Sequence, residues 1–294
     1  MNDAILLKNG RLQVEILSPG TGYTGTRFDH SGIISQVLLD GEHTFCSREW
    51  VKGGPGTGGI GLCDGWRWPS AQVYDDTAVG DYFPLPGVGL LQKTDSSPYS
   101  FRNNYPFIPF RRETVCSENR ITIHTYPILC RQIAIEQFKT ITVADNTLSI
   151  INTLRNTGER AYGLTEYCHN FMKFDRHPVD SSYRLELSYP FTPVMHYGEL
   201  SAEGNSFRLK RFDESARVAS FDIEGCQGSD AHRFRLENDE TGTCVQVEDL
   251  FPPHKVFSWN NADAFCMEVF IYLSQKPGEE RTFMRKYTFD ALSP

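Results

Sequence analysis

The chain has 294 residues, a formal net charge of -8 at neutral pH, and 39% hydrophobic, 13% aromatic and 22% charged residues. These values are typical of a globular protein and exclude a disordered or fibrous one. The excess of acidic residues disfavours a nucleic-acid partner, because phosphate binding needs a basic face. No run approaches the roughly 20 apolar residues of a membrane span, and the N-terminus lacks the apolar core of a signal peptide. We therefore expect a cytoplasmic protein with a neutral or small polar substrate.

The cysteines are scattered, and no two of them form a CxxC pair. In a chain of this size that distribution predicts reduced thiols buried as small hydrophobic residues and disfavours a disulfide framework. They lie at positions 46, 63, 116, 130, 168, 226, 244 and 266.

Hydrophobic and polar residues alternate from end to end, and no amphipathic helical pattern exceeds about two turns. The alternating pattern predicts strands with the inward faces Leu12/Val14/Ile16, Ile121/Ile123, Ile133/Ile135, Leu148/Ile150, Tyr183/Leu185/Leu187/Tyr189, Val245/Val247 and Phe283/Tyr287/Phe289. Turn sequences such as Lys8-Asn9-Gly10 and Lys276-Pro277-Gly278 separate them. We predict an all-β chain of about fifteen or more strands in large stacked sheets, folded as one domain over residues 1–294.

One segment, from about Val51 to Pro86, breaks the alternation and is rich in glycine. We expect a long irregular loop here, of the kind that often carries function. A phosphate cradle is disfavoured, because neither a Gly-Lys-Ser/Thr sequence nor a following helix is present. Trp66 and Trp68 would lie on this loop.

Two strand-like segments each place a titratable side chain in an apolar run: Thr165–Phe171 contains His169, and Phe265–Ile271 contains Glu268. The odd-numbered residues of the second segment are all apolar, so Glu268 points to the opposite face, beside Cys266 and Phe270. Partial desolvation there would raise the pKa of the carboxyl group towards neutrality. A solvated glutamate and a structural, hydrogen-bonded histidine are the alternatives.

Several motifs occur in an order that resembles the aldose 1-epimerases and their galactose-mutarotase-like relatives, in particular a less-studied aldose-epimerase-like subgroup. The resemblance spans nearly the whole chain, and it implies a supersandwich of antiparallel sheets with a concave sugar-binding face. The motifs are Gly25-Thr26-Arg27-Phe28-Asp29-His30-Ser31-Gly32-Ile33-Ile34, the segment 80–93, Phe138-Lys139-Thr140-Ile141-Thr142-Val143 leading into Leu148-Ser149-Ile150, Asn156-Thr157-Gly158, His169-Asn170-Phe171, Cys266-Met267-Glu268-Val269-Phe270, Pro277-Gly278-Glu279 and Tyr287-Thr288-Phe289.

The resemblance also implies an activity, the interconversion of α and β anomers of an aldose or aldose derivative without a metal or cofactor. His169, protonated, would be the general acid and Glu268 the general base. Arg27, Arg102, Asn170 and Trp259 would hold the sugar.

Many aldose epimerases carry a second histidine upstream of the catalytic one, and Arg102 stands in that neighbourhood here. Together with Arg27 it would suit an anionic sugar, because guanidinium groups bind phosphates and carboxylates through two hydrogen bonds. Arginine also recognises neutral hydroxyl groups, so the charge of the substrate stays open at this point.

Two other functions stay open as well. One is a catalytically silent carbohydrate-binding or sensing protein, which the retention of both titratable residues disfavours. The other is a carbohydrate lyase or isomerase on the same scaffold, because one fold hosts many reactions. The expected partner is a small-molecule carbohydrate, and the expected assembly is a monomer or a homodimer.

Overall fold

The computed structural model describes residues 4–49, 58–68, 72–210, 212, 217–226 and 231–291. In these residues the regular secondary structure is almost entirely β-strand, with one short α-helix and one 3-10 helix, so the predicted all-β class is confirmed. Neither helix has the length or the apolar character needed to cross a membrane.

The strands take the following bounds. They are β1 (Ala4–Lys8), β2 (Leu12–Leu17), β3 (Ile34–Leu39), β4 (His43–Thr44), β5 (Leu62–Arg67), β6 (Tyr82–Leu85), β7 (Gly89–Gln92), β8 (Phe107–Pro109), β9 (Arg111–Cys116), β10 (Arg120–Tyr126), β11 (Ile135–Ala144), β12 (Thr147–Asn156), β13 (Tyr162–Asn170), β14 (Tyr183–Leu187), β15 (Thr192–Tyr197), β16 (Leu200–Glu203), β17 (Ser206–Leu209), β18 (Ala219–Glu224), β19 (His232–Asn238), β20 (Thr243–Asp249), β21 (Lys255–Asn261), β22 (Ala264–Gln275) and β23 (Glu280–Ala291). The α-helix α1 is Gln72–Asp75, and the 3-10 helix is Phe174–Arg176.

These strands form two 10-stranded sheets and one 3-stranded sheet, with antiparallel pairing throughout. We call the first the front sheet; its order is β1-β2-β3-β5-β13-β22-β21-β18-β15, with β4 paired to β3. The second, the back sheet, has the order β16-β17-β14-β19-β20-β23-β12-β11-β10-β9. The small sheet is β6-β7-β8.

The core lies between the front and back sheets, as the alternating pattern requires. One hydrophobic cluster joins inward residues of both sheets, from Leu12 on β2 to Phe289 on β23. All the inward residues predicted from the alternation are buried except Tyr189, which lies beyond the end of β14. This cluster does not test whether the whole chain forms one domain, so that statement stays a prediction.

The prediction of one long irregular loop between Val51 and Pro86 is wrong in part. Strand β5 lies within it and pairs along its whole length with β13, while α1 and β6 follow. The strand escaped detection because it does not alternate: Asp64 and Trp66 are as deeply buried as the apolar residues beside them. Residues 51–57 and 69–71 lie outside the described residues.

The predicted state of the cysteines is confirmed for five of them. Cys46, Cys63, Cys168, Cys244 and Cys266 are free thiols buried in the protein. Burial raises the pKa of Cys46 to about 12, so this thiol stays protonated and packs as a small hydrophobic group. Cys116, by contrast, is exposed.

A buried ion pair connects the two sheets behind β5. Lys139 on β11 contacts Asp64 on β5 through Nζ and Oδ2 at 2.9 Å, and both side chains are 1% exposed. Burial disfavours the charged amine, but Asp64 and Asp29 outweigh it and raise the pKa of Lys139. Asn152 Nδ2 donates a second hydrogen bond to Asp64 at 3.1 Å.

We expect Lys139→Met to lower the free energy of unfolding by about 3–5 kcal/mol, because it leaves Asp64 buried without its cation. Urea unfolding at neutral pH measures the change. Lys276→Met, at an exposed position, is the matched control and should change stability by less than about 0.5 kcal/mol. A similar small change for both variants would mean that the buried pair contributes little.

Candidate active site

His169 and Glu268 are neighbours across two adjacent strands of the front sheet. The β13–β22 ladder pairs Tyr167 with Phe270, and an isolated bridge between Met172 and Phe265 continues in the same register. This register places His169 directly opposite Glu268, and their side chains meet with Nε2 and Oε1 at 3.2 Å. Both side chains are almost fully buried. Residues far apart in sequence therefore form one polar contact.

The pair lies on the face of the front sheet that points away from the back sheet. The opposite face of β13 carries Glu166 and Asn170, whose side chains reach Arg285 and Tyr287 of the back sheet. Side chains alternate along a strand, so His169 faces outward.

Aromatic rings fix the orientation of the imidazole. His169 stacks on Phe171 with ring centroids 3.9 Å apart and an interplanar angle of 5°. The rings of Phe28 and Trp259 meet it edge-on at 5.9 and 6.1 Å. Nδ1 of His169 is buried and has no hydrogen-bond partner among the described residues. These contacts hold the ring in an environment with little water.

Two arginines lie close to the pair. Arg27 forms an ion pair with Glu49 at 2.6 Å, and Arg67 donates from Nη2 to the Tyr167 hydroxyl at 3.3 Å. Both guanidinium groups lie over the Phe101 ring, 5.0 and 5.2 Å from its centroid. The pair therefore lies in a positively charged and largely desolvated environment.

The absence of a side chain at Gly65 makes room for Tyr167. A Cβ atom at Gly65 would lie 2.6 Å from Tyr167 Cζ. The tyrosine ring therefore lies against the strand, where it stacks on Phe270 with centroids 4.7 Å apart. This position brings the hydroxyl to Arg67.

Burial is the main determinant of the Glu268 pKa. It raises the pKa of this carboxyl group to about 7, although Arg67, Arg27 and Lys255 act in the opposite direction. Glu268 can therefore gain and lose a proton near neutral pH, as a general acid or base must.

The pKa of His169 shifts in the opposite direction. Burial, followed by the positive charges of Arg27 and Arg67, lowers its pKa well below the ordinary value. The protein without ligand thus favours the neutral imidazole, and the expected protonated His169 is not its resting state. Because the two groups touch, they act as one unit that holds a single proton below about pH 7.

The backbone ladder between β13 and β22 is interrupted beside the pair. In the gap, the Met267 carbonyl accepts a hydrogen bond from Asn170 Nδ2 at 2.7 Å, and the Val269 carbonyl accepts one from Arg285 Nη2 at 3.0 Å. The Tyr287 hydroxyl donates to Asn170 Oδ1 at 2.9 Å. Side chains thus replace backbone N–H donors and set the spacing of the strands that carry the pair.

Neither protein-family models nor curated protein sequences match the chain, whereas 86 chains of solved structures do. A galactose mutarotase related enzyme from Lactobacillus acidophilus aligns over 99% of this chain and 98% of its own, with 14% identity and a TM-score of 0.60. A galactose mutarotase-like protein from Lactobacillus casei covers 98% and 100%, with 13% identity and a TM-score of 0.59. The fold is galactose mutarotase-like. An aldose epimerase homologue from C. elegans, with 13% identity, full coverage of both chains and a TM-score of 0.52, agrees.

The galactose mutarotase-like fold confirms the supersandwich that the sequence motifs imply. Identities this low establish the fold alone, since one fold hosts many functions. The roles of individual residues therefore depend on the geometry of this chain.

Within the galactose mutarotase-like fold, the four residues expected to hold the sugar lie in different places. Arg27 and Trp259 are beside the pair, as described above. Arg102 is exposed, with its guanidinium 5.8 Å from the centroid of the Phe101 ring, which Arg27 and Arg67 also contact. Asn170 lies between the sheets with both ends of its amide bonded, so we leave it out of the proposed sugar contacts.

Sequence reasoning missed Arg67 and Glu49. Arg67 is opposite Thr165 in the β5–β13 ladder, on the same face as His169. The alternate positions Cys63, Gly65 and Arg67, which share the outward face of β5, could have indicated Arg67. The buried residues between them hid this alternation. Glu49 precedes the glycine-rich segment, and no pattern in the sequence indicates its contact with Arg27.

We expect Glu268→Gln to stabilise the protein at alkaline pH. Burial raises the Glu268 pKa from 4.5 to about 7, so between these values the native state holds a proton that the unfolded chain releases. The glutamate therefore lowers stability increasingly as the pH rises through this window, by up to about 3 kcal/mol. Urea unfolding should show Glu268→Gln more stable than the parent at pH 8 and no more stable at pH 4. Glu118→Gln, at an exposed position, should show no such pH-dependent gain; a gain equal at every pH would contradict the raised pKa.

We expect Arg285→Lys to destabilise β13 and β22, the strands that carry the pair, although the substitution keeps the positive charge. Lysine cannot reproduce the two 2.8 Å bonds to Glu166, so stability should fall by about 1.5–3 kcal/mol. Hydrogen exchange should accelerate in β13 and β22 and stay unchanged in the β1–β2 hairpin. Arg281→Lys, exposed on the same strand, is the control. Acceleration spread evenly over both sheets would show that Arg285 has no particular role at the pair.

Proposed function

We propose that this protein is an aldose 1-epimerase-like isomerase that interconverts the α and β anomers of an aldose or aldose derivative. The observation that carries the proposal is the buried contact between His169 and Glu268 on the outward face of the front sheet. Desolvation makes an acid and a base in contact costly to maintain, so such a pair on an outward face is a candidate for a functional role.

The geometry suits the opening of a cyclic hemiacetal. The anomeric hydroxyl and the ring oxygen of a pyranose are bonded to the same carbon, so an acid and a base at hydrogen-bond distance can reach both. One group removes the hydroxyl proton while the other protonates the ring oxygen, and the C1–ring oxygen bond breaks to give the aldehyde. Rotation about the C1–C2 bond and the reverse proton transfers then close the ring as the other anomer. Both transfers use the pair, so the scheme needs no metal or cofactor.

The proton count of the pair decides when it is active. The reactive form has one proton in total, held by His169 while Glu268 is ionised, and it interconverts with the resting form by transfer across their contact. When the pair loses that proton, Glu268 can still act as a base, but His169 can no longer act as the acid. The division of roles expected from the sequence is thus retained in the reactive form, although the resting imidazole is neutral.

Aromatic and charged side chains around the pair support a sugar ligand. Trp259 lies beside His169 and is partly exposed, which suits stacking against the C–H face of a pyranose. Arg27 and Arg67 can donate to hydroxyl oxygens on the other side of the pair.

Exchange spectroscopy by NMR tests the activity directly, through magnetisation transfer between the two anomeric proton signals of a sugar. We expect acceleration above the uncatalysed rate for at least one member of a panel of neutral, phosphorylated and acidic aldoses. His169→Gln and Glu268→Gln should each reduce it by about 10²–10⁴-fold, whereas Glu118→Gln should have no effect. An acceleration that survives Glu268→Gln would exclude this mechanism, binding without exchange would indicate a silent sugar-binding protein, and an unsaturated product would indicate a lyase.

The pH dependence of kcat/KM gives an independent test, because it reports the pKa values of the free enzyme. Burial raises the Glu268 pKa to about 7, and above this value the pair loses its single proton. We expect kcat/KM, corrected for the uncatalysed reaction, to be constant well below pH 7, to decline around pH 7 and to fall about tenfold per pH unit well above it. A kcat/KM that rises through pH 7 would mean that the acid is a third group.

A further inference from the structure

We propose that the substrate carries an anionic group, a phosphate, sulfonate or carboxylate, which binds Arg67 together with Arg27. This inference rests on the proposed function, which it deepens by naming the class of substrate.

Arg67 is a largely buried cation without a matching anion. No carboxylate lies within ion-pair distance of it in the described part of the chain. Its Nε is buried without a hydrogen-bond partner, and its Nη2 donates to the neutral hydroxyl of Tyr167. Contacts with the rings of Tyr167, Phe101 and Phe270 at 4.7, 5.2 and 5.6 Å offset only part of the cost of desolvating a guanidinium group. An anionic ligand would supply the missing partner.

The fixed charges around Arg67 leave an excess of one positive charge. Arg27 is matched by Glu49 at 2.6 Å, which leaves Arg67 uncompensated. Glu268 does not fill this role, because it makes no ion pair with either arginine and because the proposed reaction requires it to gain a proton in each cycle. A neutral sugar would leave the excess charge in place.

Arg67 lies at a suitable position for a substituent far from the anomeric carbon. Cys63 is opposite His169 in the β5–β13 ladder, and Arg67 follows on the same face. Four residues along a strand correspond to roughly 13 Å between Cα atoms. The Arg67 side chain reaches back to Tyr167, so its guanidinium group lies closer to the pair than its Cα atom does. With the anomeric carbon at the pair, the opposite end of the sugar is directed towards Arg67 and Arg27.

A bound anion would also change the protonation of the pair. Arg27 and Arg67 lower the pKa values of both His169 and Glu268, and an anion between them opposes both effects, so the pair would keep its single proton to a higher pH. Substrate charge and catalysis are therefore coupled through the same two side chains.

The first experiment measures binding by isothermal titration calorimetry, with glucose 6-phosphate, inorganic phosphate and glucose as probes. We expect glucose 6-phosphate to bind at least about 10-fold more tightly than glucose, with an affinity that falls as salt increases. Arg67→Gln should weaken the phosphate ester by about 10–100-fold and weaken glucose much less, because glucose loses only a neutral hydrogen bond. Arg281→Gln, an exposed arginine replaced in the same way, should leave both unchanged. Equal affinity of the unmodified protein for glucose and glucose 6-phosphate at low salt would overturn the inference without the use of any variant.

The second experiment compares anomer exchange for glucose 6-phosphate, glucuronate and glucose. We expect the anionic sugars to show the higher kcat/KM, and Arg67→Gln to remove that advantage mainly through KM. Equal rates for neutral and anionic sugars, or an equal loss for all three in Arg67→Gln, would overturn the inference and leave the epimerase proposal standing. If no sugar exchanges but Arg67-dependent binding of glucose 6-phosphate persists, the epimerase proposal fails and the anion site stands.

Discussion

The position of the His169–Glu268 pair depends on Arg285, which extends from the back sheet into the layer behind the front sheet. It makes two 2.8 Å bonds to Glu166 on β13 and a 3.0 Å bond to the Val269 carbonyl on β22. Asp249 on β20 holds the same guanidinium from the back sheet at 3.0 Å. One rigid, planar donor thus connects the two strands that carry His169 and Glu268 and ties both to the second sheet. Hydrophobic residues in place of the whole group, Arg285, Glu166 and Asp249 together, could stabilise the core about as well, but they would not fix the distance between the two strands.

The same construction occurs one strand further along, where Lys139 on β11 meets Asp64 on β5. Each of the three strands that form the site, β5, β13 and β22, is therefore anchored from behind by a charged side chain of the back sheet. On the outward face, by contrast, Arg67 has no carboxylate partner among the described residues, and the His169–Glu268 pair holds a single proton. Burial perturbs an inner group too, since it raises the pKa of Glu166 to about 8 although Arg285 acts in the opposite direction. The outward position and the unpartnered cation, more than a shifted pKa, therefore distinguish the groups assigned to the chemistry.

The sequence predicted the all-β class, the galactose mutarotase-like fold and the faces on which His169 and Glu268 lie, because each follows from local alternation or from ordered motifs. It did not predict that the two residues touch, since register across strands depends on tertiary pairing. It missed Arg67 because β5 is buried on both faces and lacks alternation. It assigned Asn170 to the sugar because the residue adjoins His169 in the motif, although adjacent strand residues point in opposite directions.

Gly65 limits how this site can diverge in evolution. A Cβ atom there would overlap Tyr167, with 2.7 Å to its hydroxyl oxygen, so even alanine would lift the ring and move the group that accepts from Arg67. A glycine codon becomes an alanine codon by one base change, and this change would displace the Tyr167 ring without altering any ionisable residue. The contact between Arg67 and Tyr167 can thus change independently of the contact between His169 and Glu268, because it depends on one missing methyl group.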